Sequence, residues 1–146
     1  MLKKYSITAL FSLLLIFTAF TAGGFAETNE PTMSPETAEA LAEVYKVNAE
    51  IYAEIAKVQV KADKMYAEYL AEIAKTTDAT KQADAKMKYD LKVEAVIAEL
   101  AAKTEAMTLK GMEKAEAAGL NVEMEWVLVQ FADREAWIDP IKVIGW

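Results

Sequence analysis

The feature that most constrains the fold is a long stretch without helix breakers. From Pro35 to Ala118 the chain has no further proline, and its one glycine is Gly111. Ala, Glu, Lys, Leu and Met dominate the stretch, and all five are good helix formers. Apolar residues recur three, four and seven positions apart, as on one side of an amphipathic helix. In the first half they are Leu41, Val44, Tyr45, Ile51, Tyr52, Ile55, Val58, Ala62, Met65, Tyr66, Tyr69 and Ile73.

Both ends of this stretch carry the signals that start and stop a helix. Ser34 is a strong N-cap, and Pro35 fits the first turn because its missing N–H would have no helical partner there. At the other end, Gly119 can take the left-handed conformation that closes a helix, and Leu120 can fold back on the last turn. The helical region is therefore predicted to span residues 34–118.

A break in the middle predicts that the region folds back on itself. Residues 76–80 (TTDAT) are poor helix formers, and Thr77 or Asp78 can cap a new helix. The apolar stripe restarts after the break, at Val93, Val96, Ile97, Leu100, Thr104 and Met107. We therefore predict a mainly α protein, built on a long antiparallel, coiled-coil-like helical hairpin that turns near 76–80. The alternative is one continuous rod, which would have to dimerise to bury its stripe.

The last part of the chain, residues 120–146, has a different rhythm. From Val122 onward the pattern changes to alternation and to β-branched and aromatic residues, which is typical of strands. Pro140 lacks an N–H and belongs at a strand end or on an edge, and residues 141–146 can add a further short strand. We predict a C-terminal β-hairpin that leans on another element, because an isolated hairpin is only marginally stable in water.

This hairpin is predicted to have two apolar faces. With Asp133 and Arg134 as the turn, Val129 opposes Ile138, and directly opposed residues share a face. The further pairs in that register are Gln130–Trp137 and Phe131–Ala136. One face then carries Val127, Val129, Phe131 and Ile138, and the other carries Trp126, Leu128, Trp137 and Ile141 with Gln130 and Asp139. One face is predicted to pack on the Gly119 end of the helical hairpin and close its core, because apolar strands usually exist to be buried. A second hypothesis is that one face or one strand edge stays available to a partner. The two are compatible, because a narrow helical pair can cover only one of the two faces.

Part of the hairpin resembles a known module. Residues 126–129 (WVLV), a turn, and residues 135–138 (EAWI) are similar to the central hairpin of bacterial SH3-like modules, which often read W-V-x-V, turn, G-W-V. The resemblance is confined to residues 126–144. It departs from the pattern at Ala136, where glycine is usual, and helix replaces the strands that should precede the hairpin. The resemblance implies binding to the cell envelope or to peptides.

The first 26 residues follow the three-part plan of a secretory signal peptide. Lys3 and Lys4 precede an uncharged, mostly apolar run over 7–22, and small residues lead to a cut after Ala26. The run is shorter than the ~20 residues that span a bilayer comfortably, which favours cleavage over retention as an anchor helix. We predict an exported protein, secreted or held in the cell envelope, with residues 27–33 as a disordered lead.

Composition excludes several function classes. The chain has no Cys and no His, so it lacks thiolate nucleophiles, the commonest metal ligand and the commonest acid–base group near neutral pH. Its net charge is −7, or −9 once residues 1–26 are removed, which makes nucleic acid and anionic membrane surfaces poor partners. Ser34 is explained as a cap, and two helices leave no cleft for catalytic carboxylates. We expect no enzymatic activity, no cofactor and no metal site.

The predicted function is interaction or assembly with a protein partner through the C-terminal hairpin. Self-association is one alternative, because narrow helical pairs often complete their core by forming oligomers. Two others are a membrane-active secreted protein that inserts its apolar ribbon, and a purely structural coiled-coil protein. Tyrosines of the first helix fit either the edge of its seam or a recognition surface. The candidate partner-binding residues are Trp126, Leu128, Trp137, Ile141, Trp146, Tyr45, Tyr52 and Tyr66.

Overall fold

The computed structural model describes residues 32–146, and the predicted signal peptide and most of the predicted lead lie outside that part. Two long helices are followed by four short strands. They are α1 (Pro35–Ile73), α2 (Ala79–Ala117), β1 (Asn121–Met124), β2 (Val127–Phe131), β3 (Arg134–Ile138) and β4 (Ile141–Gly145). The protein is mainly α with a C-terminal antiparallel β-hairpin, as predicted. None of the helices in this part has the length and apolar character needed to cross a membrane.

Both helices are capped by the residues that the sequence marks. The hydroxyl of Ser34 accepts the N–H of Thr37 at 3.0 Å, which satisfies a donor that lacks a helical partner. The carboxylate of Asp78 does the same for two N–H groups at the start of α2. After the end of α2, Gly119 has a φ of 85°, and the next N–H donates to the carbonyl of Ala115 at 3.0 Å. This is the hydrogen-bond pattern of a Schellman cap.

The two helices pack as an antiparallel hairpin, so the predicted hairpin is confirmed against the rod. Each helix has 39 residues, or about 60 Å at 1.5 Å per residue. The connection runs over residues 74–78, slightly before the predicted 76–80, because Ala79 and Thr80 already belong to α2. At the open end the hydroxyl of Thr37 donates to the carbonyl of Ala118 at 2.9 Å, which ties the start of α1 to the end of α2.

The seam between the helices follows the predicted stripes and extends the second one. Tyr89 and Ala85 are buried one and two turns before Val93, where the sequence pattern had appeared to begin. The buried apolar residues of the helices are Val44, Ile51, Ile55, Ala62, Ala85, Tyr89, Val93, Leu100 and Ala115. Two threonines of α2, Thr104 and Thr108, are buried among them, and their hydroxyl groups contact Asp139.

The four strands form one long antiparallel hairpin, here called the ribbon (β1 to β4). β2 pairs with β3 and β1 pairs with β4, and the two segments share one register from Val122 to Phe131. Between the segments the N–H of Glu125 donates to the carbonyl of Pro140 at 2.8 Å. The ribbon is therefore continuous, although its pairing is interrupted at this point. The sequence had predicted its inner hairpin but not the pairing of β1 with β4.

The predicted register of the ribbon is wrong by two residues. Ile138 opposes Val127, and the turn consists of Ala132 and Asp133, so that Arg134 lies within β3. The predicted pairs Gln130–Trp137 and Phe131–Ala136 are replaced by Leu128–Trp137 and Val129–Ala136. Because side chains alternate with a period of two, a shift of two residues leaves those of β2 and β3 on their predicted faces.

The ribbon turns over halfway along its length. The side chains turned toward the helices are Val122, Met124, Ile141 and Val143 in β1 and β4, and Val127, Val129, Phe131, Ala136 and Ile138 in β2 and β3. In an unbroken register these two sets lie on opposite faces. The inward face therefore changes at residues 125–126 and 139–140, here called the crossover. The neighbours change as well, since β1 packs on α2 whereas β2 packs on α1. Strong twist is usual in two-stranded ribbons.

Polar side chains of the helices form hydrogen bonds with backbone groups at the crossover and next to it. The amide of Asn48 donates to the carbonyl of Ile141 at 2.7 Å and accepts its N–H at 2.9 Å. The buried hydroxyl of Thr108 donates to the carbonyl of Asp139, and the hydroxyl of Thr104 lies 3.5 Å from its carboxylate. Since buried backbone groups need partners, these residues fix the place where the ribbon turns over.

Gly111 makes room for the first residue of β4. A Cβ atom at this position would lie 2.5 Å from Cδ1 of Ile141 and 3.4 Å from Cγ1 of Val47. The end of the Ile141 side chain therefore occupies the space that a Cβ atom at position 111 would need, and it would have to move for any other residue to fit. This contact accounts for a glycine inside a helix, where it costs about 1 kcal/mol relative to alanine.

Asp139 gives the fold a dependence on pH. Burial of its carboxylate, together with the charge of Glu105, raises its pKa above the usual value. The native state then binds the proton more tightly than the unfolded state, so this group lowers stability as pH rises from about 4 through its native pKa. We expect Asp139→Asn to raise Tm at neutral pH, and the gain to shrink toward pH 4. Thermal unfolding of both proteins across that range is the measurement, and a gain independent of pH would contradict it.

Candidate interaction surface

The outer side of β2 and β3 carries an exposed apolar group, here called the ribbon face (Trp126, Leu128 and Trp137). These side chains are 62%, 47% and 56% exposed, respectively. Leu128 and Trp137 are directly opposed, and Trp126 immediately precedes β2, two residues from Leu128. Because Glu125 and Pro140 form a hydrogen-bonded pair, alternation makes Leu128 and Trp137 a non-hydrogen-bonded pair with Cα atoms about 4.5 Å apart. The side chains of Leu128 and Trp137 are therefore direct neighbours on the outer side of the ribbon.

The opposite side of the same strands lies in the core. Phe131 and Ile138 are completely buried, and they belong to a cluster that includes Ile51 and Leu100 of the helices. β2 and β3 are therefore docked on the helical hairpin by one face alone. Leu128 and Trp137 lie on the other, exposed face.

Of two further candidate binding residues in the C-terminal segment, Ile141 is buried and Trp146 is exposed. Ile141 is 3% exposed and packs against Gly111, so its prediction as a surface residue is wrong. It shares the side of the ribbon that carries Trp126, but the ribbon turns over at the crossover and presses this side of β4 onto the helices. Trp146 is 58% exposed, as is Ile144 on the outer side of β4.

The three candidate tyrosines of α1 differ in their exposure and surroundings. Tyr45 and Tyr52 are 64% and 43% exposed on α1, as a recognition surface requires. Burial, followed by the nearby carboxylate of Glu125, raises the pKa of the Tyr52 hydroxyl. Tyr52 is thus within electrostatic range of Glu125, which precedes Trp126. Tyr45 is two turns away, or about 10 Å along the helix.

Tyr66 packs in a structural cluster of three tyrosines instead. Its ring lies 6.1 Å from that of Tyr69 and 5.6 Å from that of Tyr89, between centroids, and the last two rings are stacked. The hydroxyl of Tyr89 donates to the carboxylate of Asp133, and the guanidinium of Arg134 lies 5.0 Å from the Tyr89 centroid. The cluster thus holds the turn of the ribbon, and Tyr66 is only partly exposed.

Ion pairs explain why Arg134 leaves the turn and joins β3. Its guanidinium is 2.8 Å from Asp90, 3.4 Å from Glu94 and 3.1 Å from Asp133. Partial burial disfavours the charge, but hydrogen bonds to Asp90 and Asp133 outweigh this and raise the pKa of Arg134. Sequence reasoning missed this anchor, although Tyr89 and Asp90 lie one turn before the start of the second predicted stripe.

The ribbon is acidic around its exposed apolar side chains. Residues 121–146 contain five carboxylates and two cations, Arg134 and Lys142. Arg134 is engaged as described, and Lys142 bonds Glu123 at 2.8 Å, which raises the pKa of its ammonium group. Among the described residues neither Glu125 nor Glu135 forms an ion pair, and both are exposed.

The chemistry offered by this surface is apolar contact combined with negative charge. Within residues 32–146 no group of three or more Asp or Glu side chains is placed to hold a metal ion.

One open groove of about 340 Å³ runs beside Glu54, Lys103 and Met107 on the helical pair. The groove beside the tyrosine cluster holds about 80 Å³, below the size usual for small-molecule sites.

Comparisons of the chain with protein-family models, with curated proteins and with solved structures gave no match.

Proposed function

We propose that the protein is an exported, non-enzymatic interaction or assembly protein that binds a protein partner through the ribbon face. The observation that carries the proposal is the pair of exposed tryptophans, Trp126 and Trp137, flanking Leu128 on a ribbon that is already docked by its other side. Tryptophan is the residue most enriched among those that dominate binding energy at protein interfaces. Its large apolar surface gains most when a partner covers it.

The exposure of these residues, beside a core that is closed by others, supports a binding role. The core beneath the ribbon is closed by Phe131 and Ile138, which are both completely buried. Smaller polar residues on the outer side would leave this core intact. Contiguous exposed apolar side chains are typical of recognition sites, whereas single exposed apolar residues need no explanation.

The export part of the proposal rests on residues 1–26 of the sequence. A charged start, a short apolar run and small residues before Ala26 are the pattern of a cleaved signal. The working location would then be the cell envelope or the space outside it, as the resemblance to SH3-like hairpins also implies. Insertion of the ribbon into lipid is the less favoured alternative, because Glu125 and Glu135 would have to approach an apolar or anionic surface.

Crosslinking in cells that export the protein tests the proposal. The exported protein should begin at Glu27 and form a specific crosslinked species, which Trp126→Ala/Trp137→Ala should reduce at least tenfold, because the apolar anchors are lost. Val60→Ala/Leu91→Ala is the matched control, since it removes two apolar side chains that are 71% and 64% exposed on the helices.

Three results separate the alternatives in this experiment. An equal loss of the crosslink in both double variants would show that general stickiness, not the ribbon face, is responsible. Crosslinks between two copies of the chain alone would identify self-association. Binding to liposomes that the tryptophan variant loses would favour the membrane-active alternative.

A further inference from the structure

Resting on the proposed function, we infer that the partner is a basic protein segment whose Lys or Arg side chains meet Glu125 and Glu135 while its apolar side chains cover the ribbon face. The inference rests on charge complementarity between this surface and its occupant. It names the chemistry of the partner, which the exposed tryptophans alone leave open.

The ribbon has more carboxylates than cations that could pair with them. Both cations of the ribbon are already engaged, Arg134 with three carboxylates of its surroundings and Lys142 with Glu123. Lys142 also senses the charge of Glu125, as the raised pKa of its ammonium group reflects after the larger effect of Glu123. Its bond at 2.8 Å nevertheless holds it on Glu123. Glu125 and Glu135 therefore retain capacity for a cation from another molecule.

Along the ribbon, the two carboxylates lie before and after the ribbon face. Glu125 immediately precedes Trp126, whereas Glu135 is on the outer side of β3, two residues before Trp137. They are five steps apart along the ribbon, or about 17 Å at 3.4 Å per residue. Cations placed between or beside them can also lie over the tryptophan rings, whose faces attract positive charge. The surface thus combines two modes of attraction for the same side chains.

The same charges argue against other occupants. A second copy docked through this face would bring Glu125 and Glu135 against equally acidic residues, since residues 121–146 have five carboxylates and two cations. Phosphate groups of nucleic acids and anionic lipids would be repelled for the same reason. A basic polypeptide gains from both the charge and the apolar surface, and like-charge partners are rejected.

Selection from a random library of 12-residue peptides displayed on phage tests the inference, with the purified exported protein as bait. We expect the selected peptides to be richer in Lys and Arg than in Asp and Glu and to contain apolar residues. Synthetic copies should bind Glu125→Gln/Glu135→Gln about tenfold more weakly, because two charge pairs at the edge of the site are lost. Glu113→Gln/Glu116→Gln, exposed on α2, is the control with the same change in charge and should bind normally.

The tryptophan variant separates failure of the inference from failure of the proposed function. Selected peptides that are neutral or acidic, or that bind Glu125→Gln/Glu135→Gln at full strength, overturn the basic partner. If Trp126→Ala/Trp137→Ala still abolishes their binding, the ribbon face remains a binding site of different preference. Peptides that bind the tryptophan variant normally, or a selection without any enrichment, count against both the inference and the proposed function.

Discussion

Ile138→Ala is expected to lower the free energy of unfolding by about 3 kcal/mol, whereas Trp137→Ala beside it should lower it by less than about 1 kcal/mol. Ile138 is completely buried in the cluster that joins the ribbon to both helices, so truncation leaves a cavity. Trp137 is 56% exposed on the other side of the same strand and leaves solvent in its place. The larger residue thus has the smaller effect, opposite to the order that size alone predicts.

Urea titration of the two variants measures this difference in stability, and the crosslinking yield supplies the second readout. Trp137→Ala should stay folded and lose partner capture, while folded Ile138→Ala should retain capture at low temperature. The total stability of a domain of this size is about 5–15 kcal/mol, so a loss of 3 kcal/mol is measurable without unfolding most of the protein. Equal destabilisation by both substitutions would mean that the ribbon serves only to close the helical core.

Asn48→Ala is expected to cost about 2–4 kcal/mol, an unusual loss for a polar residue on an amphipathic helix. The amide side chain satisfies both the N–H and the carbonyl of Ile141, at 2.9 and 2.7 Å. These two groups point away from the ladder, because Ile141 and Met124 form a non-hydrogen-bonded pair. Without Asn48 the N–H and the carbonyl of Ile141 would be buried without hydrogen-bond partners, and each such group costs about 1–3 kcal/mol.

Gln59→Ala provides the control for this substitution. Gln59 also lies on α1, and its amide donates to the carbonyl of Gln130 at 3.0 Å, but that contact is exposed. Water can replace it, so the expected loss is within about 0.5 kcal/mol. Urea titration should rank the two variants in this order. Similar small losses would show that β4 keeps its place without the amide of Asn48.

The helical part of the fold could be predicted because its determinants are local. The side chains of Ser34 and Asp78 accept backbone N–H groups within one turn of their own position. The N–H of Gly119 likewise donates to a carbonyl in the last turn of α2. The apolar stripes then require a partner surface, and the short polar break allows the second helix to supply it. The separation of the ribbon into a buried and an exposed face was also predictable, because a register error of two residues leaves each side chain of β2 and β3 on the same face.

The remaining features depend on contacts between residues far apart in the sequence. Arg134 looked like a turn residue, but ion pairs with Asp90 and Glu94 of α2 draw it into β3. The exposed status of Ile141 was predicted by continuing the alternation of the inner strands, which fails where the ribbon turns over. Tyr66 was placed with Tyr45 and Tyr52 by its spacing, and only the docking of the turn distinguishes it. Among the eight candidate binding residues, Ile141 is buried, and Tyr66 packs at the edge of the helical seam, which is one of the two roles that the sequence allowed for the tyrosines.

The position of the ribbon after both helices has a consequence for the order of folding. The helical pair can meet as soon as α2 has been made, because its contacts span a short connection. The cluster that contains Ile51 and Leu100 is completed only by Phe131 and Ile138 of the ribbon, since all four belong to it. Contacts between α1 and the ribbon have a high contact order and form late. We therefore expect the helices to reach their final packing only when the ribbon docks on them.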